Sequence, residues 1–465
     1  LAGNPRAAAE LGVIIGESFG ELGLRRNGEP VLRMAVDRAE RELGPRHPIT
    51  LRGKVQLGAV IKDWDPAAAE ALIDQVIVDA ARALPESADS LEGALTNKAF
   101  IAARRNDEAG AYRSMREAVS VAEKYLGNHS ESAIFNLGFL ANLYGKFGRK
   151  AEQLQAASEA MQRAKTAFAD RRPHIILAAA ERFYASALRE NGRPGDAVPI
   201  LRQALADQMR LDAVETLRVR NAVSDLGLAL HDAGETREAI ELFRRVVGME
   251  VRQNNFESME RVEFGIQLVE SLIDARMAAE ALAEDLRVEA LLSRLPPRRP
   301  DERAADVLRR AQILALQGTG AQSDRLAAEA AGLAGVASPA LRVRAMRIAA
   351  FNERLQGHPE RADDYINQAL HIARGGTDTG SEAIWLPVEH GMSLLRQGKA
   401  DAAHTEFAKC LERFRQQQVR PSVKVSDCVL GAARSHLALG RADQAAKLLT
   451  ELAADWQRTY PSSGW

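Results

Sequence analysis

Turn signals recur in this chain at a nearly constant interval. They fall near residues 23, 64, 107, 148, 192, 234, 275, 318, 357, 398 and 440, spaced 39 to 44 positions apart. Unrelated globular domains do not share one period over 465 residues. Stacked copies of one supersecondary unit do. The clearest copy lies in 221–254, where Leu226-Gly227-x-x-Leu230 is followed by Gly234 and then by Ala239-x-x-x-Phe243-x-x-Val246. Apolar residues at intervals of three and four predict two helices, each with one buried face. Small residues sit where the helices approach closely, and Gly234 breaks the pattern between them. One such hairpin cannot bury its apolar face alone and needs neighbours on both sides.

The other copies run along the chain. Ile15, Gly16 and Phe19 share a face of the opening helix, and a break at Asn27-Gly28 precedes a second helix with Pro30 near its start. Leu57, Gly58 and Ile61 lead to Trp64-Asp65-Pro66. Ala99 and Ala102 lead to Asn106-Asp107. Leu140-Ala141-x-x-Tyr144 leads to Phe147-Gly148, and Ala185-x-x-Leu188 leads to Asn191-Gly192. The seventh turn, near Ala275, has no glycine. Gln317-Gly318, Gln356-Gly357, Gln397-Gly398 and Leu439-Gly440 complete the series. Leu295-Pro296-Pro297-Arg298-Arg299-Pro300 excludes helix and forms a joint, either an ordinary loop or a hinge. We therefore expect an array over 1–295, about seven hairpins, and a second over 296–465, about four, with one continuous superhelix as the alternative.

The hairpins resemble the tetratricopeptide repeat (TPR) family on Leu226-Gly227-x-x-Leu230, Gly234, Ala239 and Phe243, and on Ala185, Leu188, Ala197, Leu201 and Ala204. The period is that of the long form found in kinesin light chains and many bacterial regulators. Leu43-Gly44-Pro45-Arg46-His47-Pro48 looks like that form's inter-repeat loop, with Leu126-Gly127-Asn128-His129 as a weaker copy. The resemblance implies an all-α, right-handed α-solenoid of about eleven stacked helix-turn-helix hairpins. The stretch from Leu1 to Leu24 further resembles the entry into the repeat arrays of bacterial membrane-anchored regulators. These carry a cytoplasmic winged-helix or serine/threonine kinase domain, one membrane span and a periplasmic array. The resemblance implies a periplasmic sensor region, with a cytoplasmic location as the alternative. The opening Leu1-Ala2-Gly3-Asn4-Pro5 lacks a Met, so residues are expected before it.

Composition narrows the function. The apolar fraction is 46% and only 5% is aromatic, and 62 basic residues balance 63 acidic ones to a net charge of -1. No bulk charge draws the chain to nucleic acid. No apolar run reaches the roughly 20 residues of a membrane span. Cys410 and Cys428 give no disulfide framework and read as buried free thiols, a bridge being the alternative. The nine histidines are scattered, and His436 reads as a packed, satisfied side chain. Neither a zinc helix nor a nucleophile elbow occurs. The glycine-rich run from Arg374 to Ser381 lacks the Gly-Lys-Ser/Thr end of a phosphate loop. Arg294, Arg298, Arg299, Arg303, Arg309 and Arg310 read as a solvated face, or else as an anion site. No enzyme activity, metal or cofactor is expected.

What remains is binding on the concave face, which the first helices line in this architecture. The candidates are Phe135, Asn142, Arg182, Arg189, Asn221, Ser224 and His231, with Arg344, Arg347 and Arg354 on one face of the ninth hairpin. The resemblance assigns Asn and basic residues here to the backbone or carboxylate of an extended peptide. An amide offers both donor and acceptor, and Arg offers a fork. Solvated polar filler is the alternative. Trp385 and Met392 are an apolar anchor or packing residues. The expected partner is a protein or peptide, and exposed solenoid ends offer a route to oligomers.

Overall fold

A computed structural model describes residues 5–22, 24–62, 64–212, 216–252, 259–295, 298–334, 338–374, 385–416 and 425–459. The described residues form 22 α-helices and one short 3-10 helix, with no strand among them. They follow one another in pairs. The first three pairs are α1 (Pro5–Glu21) and α2 (Arg25–Leu43), α3 (Pro48–Ile61) and α4 (Pro66–Arg82), α5 (Ala88–Arg104) and α6 (Glu108–Tyr125). Next come α7 (Glu131–Lys146) and α8 (Lys150–Phe168), α9 (Ile175–Glu190) and α10 (Pro194–Leu211), α11 (Leu217–Ala233) and α12 (Thr236–Arg252). The series continues with α13 (Met259–Asp274) and α14 (Ala278–Leu292), α15 (Pro300–Leu316) and α16 (Gly320–Ala334), α17 (Pro339–Leu355) and α18 (Pro359–Arg374). It ends with α19 (Leu386–Arg396) and α20 (Ala400–Gln416), then α21 (Ser426–Ala438) and α22 (Ala442–Thr459). The fold is an all-α array of stacked hairpins.

Nine of the turns between paired helices each place one residue in the left-handed region, where a side chain is strained. Gly148, Gly192, Gly234, Gly318, Gly357, Gly398 and Gly440 supply it, with φ between 73° and 89°. Asn106 (φ 61°) and Arg276 (φ 56°) take the same place. The seventh turn thus keeps the geometry without glycine. Gly44 and Gly127 also have positive φ, at 92° and 99°, so the two inter-repeat loops share one device. One local expectation fails. The second helix does not wait for Pro30, because the carbonyl of Leu24 accepts from the amides of Asn27 and Gly28 and closes a first turn there. Asn27, Gly28 and Pro30 all lie inside α2.

Alanine forms much of the core, as at Ala94, Ala99, Ala111, Ala118 and Ala141, and lets neighbouring helices approach. Larger plugs fill the gaps. Phe243 is fully buried, and a Cβ on Gly227 would lie 2.9 Å from its ring. Phe407 is fully buried between Gly391 and Gly431. Removing such a ring costs about 3–5 kcal/mol.

The chain divides into two compact units, Leu1–Leu226 with Arg252–Asn255, and Gly227–Val251 with Phe256–Trp465. The expected joint at 295/296 falls within the second unit, and Pro296 and Pro297 lie outside the described residues. In the first unit α1 touches α3, α3 touches α5, α5 touches α7 and α7 touches α9. In the second, α13, α15, α17, α19 and α21 touch in the same way. First helices therefore line the inner face of each unit, and second helices back them. In the first unit, Arg218 Nη1 on α11 donates to Glu21 Oε1 at the end of α1 at 2.7 Å. Residues 197 positions apart in sequence thus meet in one unit. In the second, Arg276 pairs with Asp427 at the start of α21.

The arginine cluster near the proline joint is a solvated face only in part: Arg294, Arg299 and Arg303 are exposed, and the other three are tied down. Arg309 is buried and donates to Asp285 Oδ1 at 2.6 Å and to Asp306 Oδ1 at 3.0 Å. Arg310 also pairs with Asp285, and Arg298 donates to Asp306 Oδ2 at 2.6 Å. Asp285 on α14 and Asp306 on α15 share these three cations with Glu289 and Glu302 and tie the helices together.

Candidate functional site

A row of phenylalanines crosses the inner face of the first unit. Phe100 on α5, Phe135 and Phe139 on α7, and Phe183 on α9 are all half-buried. Phe139 stands at the centre. Its ring centre lies 5.1 Å from Phe100, 5.7 Å from Phe135 and 5.5 Å from Phe183. The contacts with Phe100 and Phe183 are edge-on, at 80° and 74°, the arrangement that aromatic quadrupoles favour. Gly138 allows the row to close. A Cβ there would lie 2.0 Å from Phe183 Cδ2, so the ring of α9 rests on the backbone of α7. Phe135 was legible as a candidate from sequence, whereas Phe100, Phe139 and Phe183 were missed. A signal existed: Phe139 and Phe183 each stand nine positions before their turn glycine.

Polar groups flank the row. Asn142 is exposed on α7, and its side-chain amide makes no hydrogen bond among the described residues. Arg182 Nε donates to Asp225 Oδ2 at 2.7 Å, which ties α9 to α11 along the same face. Arg189 lies 3.0 Å from Glu190. Asn221 is half-buried on α11, and its Oδ1 accepts from Arg220 Nη2 at 3.2 Å. Ser224 is buried in the wall of the unit. At the Phe135 end, Asn136 Nδ2 donates to Glu92 Oε2 at 2.7 Å, and Asn136 Oδ1 accepts from Thr96 Oγ1 at 2.9 Å. Burial pushes the Glu92 carboxyl above its usual range, against the hydrogen bonds of Asn136 and Ser132, and Asp89 adds to the rise.

The remaining candidates lie in the second unit. His231 Nε2 is 2.9 Å from Asp274 Oδ2, a link between α11 and α13. Arg344 Nη2 donates to Gln312 Oε1 at 2.9 Å and its Nη1 approaches Glu270 Oε1 at 3.9 Å. Arg354 Nη2 donates to Glu389 Oε2 at 3.2 Å and its guanidinium lies 5.0 Å from the Phe351 ring centre. Burial raises the Glu389 carboxyl, while Arg354 and Arg347 act against that rise. The three arginines thus face acids contributed by other hairpins. Met392 is buried, and Trp385 packs on Phe414 with ring centres 5.2 Å apart, so both serve packing. Cys410 and Cys428 are buried and unbridged. His436 is not the satisfied side chain expected. Its ring centre lies 4.5 Å from that of His404, tilted by 56°, and its Nδ1 is buried with no hydrogen-bond partner among the described residues. No group of three or more His, Cys, Asp or Glu among the described residues has a metal-binding arrangement. No helix among them is long and apolar enough to cross a membrane. The run 375–381 and the side chains of Trp456, Tyr460 and Trp465 lie outside the described residues.

With this geometry in hand, comparison with known proteins adds the following. No family model matches the sequence, and no curated protein does. Solved structures do. The Rap protein complexed with competence and sporulation factor is similar over 79% of this chain and 98% of its own, at 12% identity and a TM-score of 0.49. BtubC (BKLC) from P. vanneervenii is similar over 50% of this chain and 92% of its own, at 16% identity and a TM-score of 0.39. A Podosopora anserina kinesin-light-chain-type protein of nearly identical TPR-like repeats is similar over 44% and 97%, at 22% identity and a TM-score of 0.34. The architecture is TPR-like. The hairpins described above carry that statement, and likenesses this distant say nothing of a ligand.

Proposed function

We propose that this chain is a non-catalytic binding module whose inner face in the first unit holds an extended peptide segment of a protein partner. The row of half-exposed phenylalanines carries the reading. Exposed aromatic surface on a rigid inner face is the kind of feature that marks a binding site. Phenylalanine rings give large contact area for little lost freedom. Asn142 stands ready beside them with a donor and an acceptor for a peptide bond. Double replacement of Phe139 and Phe183 by Ala is expected to weaken a bound peptide by about 2 kcal/mol or more, the scale of an interface hot spot. Asn142→Ala with Asn221→Ala is expected to cost about 1 kcal/mol, the scale of a hydrogen bond or two. Titration of a bound peptide against these variants tests both, and affinities equal to that of the parent chain would remove the assignment.

At the finer level we propose the sensor region of a bacterial signalling protein, passing ligand state to an attached kinase or DNA-binding domain. The Arg218–Glu21 pair supports it, because a ligand on the inner face would bias a contact that joins the ends of one unit. The alternative is a free-standing scaffold. Placement in the periplasm is part of the same proposal, and a topology reporter fused to the full-length protein tests it.

A further inference from the structure

The peptide reading leaves open which side chains the inner face selects, and Glu92 bears on that. Its carboxylate sits in the crevice between α5 and α7, held by Asn136 Nδ2 at 2.7 Å. Asn136 follows Phe135 in the chain, and Ser132, its other partner, lies one turn earlier. Glu92 is therefore placed at the Phe135 end of the aromatic row. No Lys, Arg or His among the described residues pairs with it. Arg52, which interacts with Asp89 on the same helix as Glu92, is committed to Glu17 through two bonds of 2.8 and 2.6 Å. The next charge along α5 is Asp89, of the same sign. A carboxylate removed from water recovers its solvation only through hydrogen bonds and an opposite charge. The protein supplies the first here and not the second.

We propose that, within the binding site argued above, Glu92 takes a lysine or arginine side chain of the bound segment, with an adjacent apolar side chain on the Phe135, Phe139 and Phe183 rings. The proposal rests on the peptide reading and adds a charge to it. The ligand class is a basic and apolar peptide, not an acidic one.

The test is a selection of a displayed library of random short peptides on the immobilised full chain, repeated on Glu92→Gln and on the Phe139→Ala/Phe183→Ala double variant. The expected result is enrichment of Lys or Arg beside Leu, Ile or Phe. The Gln variant keeps the apolar enrichment and loses the basic one, and the double variant enriches nothing. A selected peptide then binds about tenfold more weakly to the Gln variant. It loses as much when its basic residue is replaced by norleucine, and that neutral peptide binds the Gln variant and the parent chain alike. Apolar enrichment with no basic preference, or a basic preference that survives in the Gln variant, overturns the assignment to Glu92 and leaves the aromatic site standing. No enrichment on the parent chain removes the peptide reading, and this proposal with it. Equal melting temperatures, or a higher one for the Gln variant, show that its weaker binding is not loss of fold.

Discussion

Glu92 is a charge kept at a cost. Burial holds its carboxyl above the usual range of about 4.3, so the folded chain prefers the protonated form more than the unfolded chain does. The sign follows from linkage. Below the unfolded value both states are protonated and the penalty is absent. As pH rises through the unfolded and then the folded value, stability falls, and the full penalty stands at neutral pH. Glu92→Gln mimics the protonated form. Thermal melts should show the variant more stable than the parent at pH 7, with the difference shrinking below about pH 4. A difference of the opposite sign at pH 7 would mean that the folded chain favours the Glu92 carboxylate over its protonated form.

At the scale of the element, the hairpin turn decides the repeat. Most turns spell themselves out as glycine, and the interval between them made nearly the whole array legible. Arg276 hid the seventh because nothing in an arginine announces a positive φ. Its place was readable only from the spacing. A left-handed residue with a side chain costs about 1–2 kcal/mol. The exposed Arg276–Asp427 pair returns about 0–1 kcal/mol of this. Arg276→Gly should therefore stabilise the chain by about 0.5–1 kcal/mol, read as a rise in the midpoint of denaturant unfolding. A fall would show that the pair with α21 outweighs the turn.

Across the whole chain, the same regularity explains what sequence reading reached and what it did not. Residues repeated in register, such as the turn glycines, Gly227 with Phe243 or Gly391 with Phe407, are visible along the chain because each copy restates them. The site is built that way only in part: Phe139 and Phe183 keep one place before their turn glycines, and Phe100 does not. Phe100, Phe139 and Phe183 meet only when three hairpins stack, and Arg344 and Arg354 find their acids on α13 and α19. Such contacts join repeats at varying registers. A scan of one helix at a time lists Arg344, Arg347 and Arg354 as a basic stripe and overlooks the partners that balance it. Arg309 and Arg310 looked solvated for the same reason, because Asp285 approaches from the preceding hairpin.

The central claim is that first helices bind and second helices support. Amide hydrogen exchange of the full chain, with and without a peptide from the selection, tests it most directly. The account predicts that the peptide slows exchange in α5, α7 and α9 and leaves α6, α8 and α10 as they were. Slowing confined to the second helices, or none in α7 around Phe135 to Asn142, would contradict it.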